Sequence, residues 1–243
     1  MMHSFQFRQI TVRLAVSICA LGGAVATLSL AVSAKPIAFS EAVTAMHERE
    51  FNMRATEVYY APKHWWSLGI ADTQMNSDDK SRYMDASFAQ VNFLVKRWNM
   101  PNAQGNLFAS AGYGWAYSTK EGIVGLAHPG HPVAQTARYS ESARRLVLQG
   151  DYETRQFYSS FKMDVHQTPL FFERTDTAQL GFSPVAHDYE DLAVWFVGQV
   201  KKYRGMNDKT EAGAFVRLFK KNVWVEIGMT ERRKSQLMLM INH

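Results

Sequence analysis

Residues 107–118, LFASAGYGWAYS, alternate in size from one position to the next. Leu107, Ala109, Ala111, Tyr113, Trp115 and Tyr117 share one parity; Phe108, Ser110, Gly112, Gly114, Ala116 and Ser118 share the other. A β-strand sends successive side chains to opposite faces, so this stretch has an aromatic face and a mostly small one. A soluble sheet turns its apolar face inward and a charged face outward. Here the second face is small, which suits the inside of a closed cylinder whose outer wall meets lipid.

The same period of two recurs outward from this stretch. It runs through 53–60, 64–74, 82–98, 145–153, 156–166, 171–184, 192–203, 212–220, 223–230 and 235–242, with turn chemistry between segments. In 223–230, Val223, Val225, Ile227 and Met229 oppose Trp224, Glu226, Gly228 and Thr230. The pattern predicts that Leu107, Tyr113, Val225, Ile227, Leu239 and Ile241 face lipid, and that Gly112, Gly114, Glu226 and Gly228 face the interior. Trp65, Trp66, Trp98, Trp115, Tyr117, Phe171, Phe172 and Trp224 fall near segment ends, where an aromatic girdle meets headgroups. The expected fold is all-β: a closed antiparallel up-and-down transmembrane β-barrel. The competing reading is a soluble periplasmic β-sandwich.

Eleven segments leave the count odd, whereas a closed chain with both ends on one side needs an even number. Residues 36–50 then supply a weak twelfth strand or one segment is misplaced; twelve strands are expected, with ten as the alternative. Connection lengths fit the barrel phase. Counted from a periplasmic C-terminus, 221–222, 185–191, 154–155, 99–106 and 61–63 are periplasmic. The external connections are 231–234, 204–211, 167–170, 119–144 and 75–81, and the long one falls in this set.

The chain opens with Arg8 and Arg13, an apolar run from Leu14 to Leu30, and small residues up to Ala34. This is the layout of a signal peptide over residues 1–34, cleaved after Ala34; the alternative is an uncleaved anchor. Residues 35–52 are polar and read as a lead-in, and 53–243 as the barrel domain. Cys19 is the sole cysteine, so a mature exported chain carries no disulfide. Losing the leader removes two arginines and no acid, taking the formal charge from +5 to +3. That is too mild and dispersed for nucleic-acid binding. No later apolar run approaches the ~18 residues of a membrane helix.

On residues 53–243 the chain resembles bacterial outer-membrane β-barrel proteins. The final strand SQLMLMINH keeps their alternation, with Leu237, Leu239 and Ile241 in phase, but ends in His243 where such proteins usually carry an aromatic. VNFLVKRWNMPNAQGNLFASAGYG and GDYETRQFYSSF also resemble uncharacterised barrel-like proteins that accompany copper-handling systems in proteobacteria. The class resemblance implies residence in the bacterial outer membrane, with lipid and the barrel assembly machinery as partners.

Glu57, Asp151, Glu153, Lys162, Asp164, His166 and Glu226 carry lumen parity. They read as a polar pore lining or as paired charges filling a narrow barrel. Ser159 or Ser160 with Asp164 and His166 suggests a lipid-modifying hydrolase, yet same-face residues on one strand sit ~6.6 Å apart and rarely converge. His128 and His131 flank a Pro-Gly turn in the long connection, and Met46, His47 and Met53 lie close in sequence. Both sets are candidate metal ligands, since imidazole and thioether suit copper or zinc; an ordinary loop and ordinary strand residues are the alternative. No cofactor is expected. The functional expectation is a non-enzymatic barrel, structural or interacting, or a narrow pore for an unknown small solute or metal ion. A lipid-modifying barrel enzyme and a soluble metal-binding protein are the alternatives.

Overall fold

Each turn signal in the sequence reverses the chain onto its antiparallel neighbour. In the computed structural model, which describes residues 35–37, 39–79, 81–120, 137–169, 171–186 and 191–243, twelve strands result. They are β1 (Ala42–Arg49), β2 (Met53–Lys63), β3 (Trp66–Asn76), β4 (Arg82–Met100), β5 (Ala103–Lys120) and β6 (Ala137–Thr154). Then follow β7 (Phe157–Gln167), β8 (Phe172–Phe182), β9 (Ala193–Arg204), β10 (Lys209–Lys220), β11 (Val223–Thr230) and β12 (Ser235–Asn242). Every strand pairs with its neighbours in sequence, and β1 pairs with β12 to close the cylinder. Closure leaves no unpaired edge, as a lipid environment requires.

The twelfth strand is β1, inside the segment that reads as a polar lead-in. Its inward residues, Ala42, Thr44, Met46 and Glu48, are too small or polar to show as a strand face in sequence. Pairing on both sides fixes it: Thr44 to Arg49 run against Asn242 to Leu237 of β12, and Ala42 to Arg49 run against Ala61 to Arg54 of β2. Two connections are shorter than their composition suggests. The stretch 99–106 shrinks to Pro101 and Asn102, because β4 and β5, past a register shift between Leu94 and Lys96, stay paired to Met100↔Ala103. The long connection spans 121–136 and not 119–144, since β6 begins at Ala137 and pairs with β5 along its length. Serines and charges at the start of β6 gave that half no apolar alternation.

The faces fall as the alternation predicts. Tyr113, Ile227, Leu239 and Ile241 are exposed on the outer wall, while Glu226 is buried within. Large apolar side chains such as Leu68, Ile70, Leu146 and Leu180 complete the outer surface. An apolar exterior around a polar interior is the construction of a barrel that crosses a membrane. Trp65, Trp98, Trp115, Tyr117 and Phe172 are exposed near strand ends. Trp224 and Phe171 are corrections: both are buried. Trp224 shares the inward parity of Glu226, and there the Arg217 guanidinium stands 4.1 Å from its ring centre.

The lumen glycines do more than leave empty space. A Cβ on Gly114 would stand 1.8 Å from the Ser87 carbonyl oxygen, so β4 and β5 could not keep their spacing there. One on Gly112 would press the Cβ atoms of Phe88 and Arg145, at 3.2 and 3.4 Å. Small residues on β5 thus make room for large residues of neighbouring strands to reach inward.

Candidate functional site

Strand parity sends Glu57 of β2, Arg145 of β6, and Lys162, Asp164 and His166 of β7 into one level of the lumen. Arg145 is their hub. Its Nη1 lies 2.7 Å from Glu57 Oε1, its Nη2 2.7 Å from Asp164 Oδ2, and its Nε donates to Asp164 Oδ1 at 3.1 Å. Lys162 Nζ adds a contact with Asp164 at 3.3 Å. His166 Nδ1 stands 3.5 Å from Asp164 Oδ1, its ring packs on Phe88, and its buried Nε2 makes no hydrogen bond among the described residues. Asp164 is committed to Arg145 and cannot serve mainly to orient His166.

A second network crosses the lumen through side-chain amides. Arg217 pairs with buried Glu226 through Nε and Nη2, both 2.7 Å away, and donates to Gln179 at 3.0 Å. Gln179 donates to Gln199, Gln199 to Gln236, and Gln236 to Glu48. Lys201 then bridges Glu48 and Glu50, and the Tyr203 hydroxyl donates to Glu50 at 3.2 Å. The Glu48–Lys201 link spans from β1 to β9 across the interior.

Both ends are partly closed. At the end holding the C-terminus, Lys35 Nζ lies 2.9 Å from Glu153 and 3.7 Å from Asp151. The Pro36 carbonyl accepts from Ser67 Oγ at 2.8 Å, and Ile37 packs against Ala61 and Phe108. The residues just after the expected leader therefore enter the lumen. At the opposite mouth, Asp78 of the β3–β4 turn reaches Lys209, at 2.6 Å, and Lys234, at 3.5 Å. Between the ends lies a cavity with about 140 Å³ available to water molecules, running from Pro36 to Met75 and Tyr203. A smaller cavity of about 40 Å³ beneath the mouth shares Glu50, Met75 and Tyr203 with it.

Glu57, Lys162, Asp164, His166 and Glu226 line this interior, and Asp151 and Glu153 face Lys35 at its end. Ser160 also faces it, but its Oγ contacts Gln179. Among the described residues no hydrogen bond joins Ser159 or Ser160 to His166, and Ser159 has the outward parity. The chain segment Met46–Met53 does not form one site: Met46 and Met53 have inward parity, while His47 points outward and bonds Thr56 Oγ1 at 2.9 Å. His128 and His131 lie outside the described residues. No cluster of three or more His, Cys, Asp or Glu suited to a metal ion occurs among the described residues. The sequence reading missed Arg145, Arg217, Lys201 and Lys35. Arg145 was legible, because it shares parity with Asp151; the others required the register.

No protein-family model and no curated protein matches the chain. Among solved structures, the KdgM porin in complex with disordered oligogalacturonate is similar at 9% identity and a TM-score of 0.45, over 83% of this chain and 98% of that one. The KdgM porin alone gives 10% identity and a TM-score of 0.44 over the same shares. A loop L8 deletion mutant of OmpT, an outer membrane protein of Vibrio cholerae, gives 9% and 0.30 over 83% and 96%.

Proposed function

We propose that this chain is a non-enzymatic barrel of the bacterial outer membrane that forms a narrow pore for small polar solutes. The apolar outer wall around a polar interior supports the location. One observation carries the pore reading: the two cavities share lining residues along the lumen, and amides and ion pairs border them. The larger has room for several waters, enough for a hydrated path too narrow for a bulky substrate. Most polar groups on that path are paired, and among the described residues no serine is hydrogen-bonded to His166, which argues against the lipid-modifying alternative.

Planar-bilayer conductance tests this. The protein should give small unitary currents, and removing Lys35, Pro36 and Ile37 should enlarge them. No current from either form would make the lumen a filled scaffold and sink the pore.

A further inference from the structure

Three methionines stand side by side inside the barrel. Met53 of β2 is the register partner of Met75 of β3, and Met75 is the partner of Met84 of β4. All three have inward parity and pack together, with Met75 and Met84 buried and Met53 partly so. Directly opposed residues place their Cβ atoms about 4.5–5.5 Å apart, so three thioethers on flexible stems can turn their sulfurs toward one point. Met206, from the β9–β10 turn, joins the same cluster.

The next inward row gives the methionines space to move. Beneath the methionines lie Ala55, Thr73 and Ala86, paired in that order. These small neighbours leave the methionine stems room to turn, beside the larger Phe88 and Phe171 of the same cluster. Thr73 is 1% exposed and its Oγ1 has no hydrogen-bond partner among the described residues. Met53 and Met75 also line both cavities, so their sulfurs can be reached from the lumen, while Met84 lies packed in the same cluster.

We propose that Met53, Met75 and Met84 form a binding site for a soft monovalent cation of the Cu(I) class. Thioether sulfur is a soft donor that selects such ions over hard divalent ones. The row stands on the mouth side of the lumen, where an ion entering from outside meets it before the Arg145 network.

Calorimetric titration of the full barrel in detergent with Ag(I), in chloride-free buffer, tests the site without a redox step. One ion should bind per barrel. Met75→Leu, which keeps the buried volume, should abolish that binding, whereas Met229→Leu on the exposed outer wall should not. Heat-modifiable migration verifies that each variant is folded. Should Met75→Leu fail to fold, methyl resonances of the wild-type methionines serve instead: those of Met53, Met75 and Met84 should shift with Ag(I). Absence of binding, undiminished binding in a folded Met75→Leu, or shifts confined to methionines other than these three, the inward Met46, Met238 and Met240 included, would each overturn the site. Conductance does not enter these readouts, so the pore proposal stands or falls separately.

Discussion

Arg145 holds Asp164 with two nitrogens, Nε at 3.1 Å and Nη2 at 2.7 Å, while its third reaches Glu57 at 2.7 Å. One buried guanidinium thus compensates two carboxylates that its neighbours could not satisfy alone. Arg145→Met would strand both acids in the wall of the lumen, at a cost of about 3–5 kcal/mol. Urea unfolding in lipid vesicles, followed by tryptophan fluorescence, should show the loss. Adding Glu57→Gln and Asp164→Asn to Arg145→Met should restore most of it, because both carboxylates are then neutral and only the partly exposed Lys162 loses a partner. A triple variant as unstable as the single one would contradict this account.

Ile227 and Glu226 are adjacent in β11 and lie on opposite sides of the wall, 57% and 1% exposed. Ile227→Arg places a charge in lipid and should cost about 2–4 kcal/mol if the site is at mid-depth. Cysteine substitutions separate the faces directly, since the sequence after Cys19 contains no cysteine. In vesicles a cysteine at 227 should resist a water-soluble thiol reagent. Free reaction there, with none at 226, would mean the faces are reversed.

Gly114 cannot accept a side chain without parting β4 from β5, because the added Cβ would meet the Ser87 carbonyl oxygen at 1.8 Å. Gly114→Ala should sharply reduce the heat-modifiable folded form on a gel. Gly150, where an added Cβ meets nothing closer than 3.9 Å, should tolerate alanine with little change. Equal yields of the two variants would show that backbone approach does not limit assembly at Gly114.

Glu50, in the turn after β1, has its carboxyl pushed up to about 7 by burial, with Glu48 beside it, against the pull of Lys201. The folded barrel therefore retains a proton that the unfolded chain has lost. That contribution to stability is complete below the ordinary value of 4.5 and is lost as pH rises through about 7. The urea midpoint of the wild type should fall across this window, and Glu50→Gln should flatten the fall. An identical pH profile for the variant would remove Glu50 as the cause.

How far the sequence reaches is visible in particular elements. The alternation in 107–118 and 223–230 assigned lipid and lumen faces correctly, because a strand's side-chain period is a local property. Glu57, Lys162, Asp164, His166 and Glu226 were legible as lumen residues for the same reason. Trp224 shares the parity of Glu226 and so was legible as inward, although its indole at a strand end reads equally as a girdle residue; its stacking under Arg217 needed the register. β1 was reachable only through the even strand count, which asked for a twelfth strand in 36–50; its strand character comes from pairing with β12 almost 200 positions away.

By itself, then, the sequence determined the period, the faces and the membrane-crossing class of this protein. Only the tertiary structure decided that the cylinder closes through Thr44 and Asn242, that Arg145 serves both Glu57 and Asp164, and that Met53, Met75 and Met84 share a row. The physical reason is register. Alternation says which way a side chain points, but hydrogen bonding between strands sets which residues stand opposite one another, and a slip of one position would exchange every face.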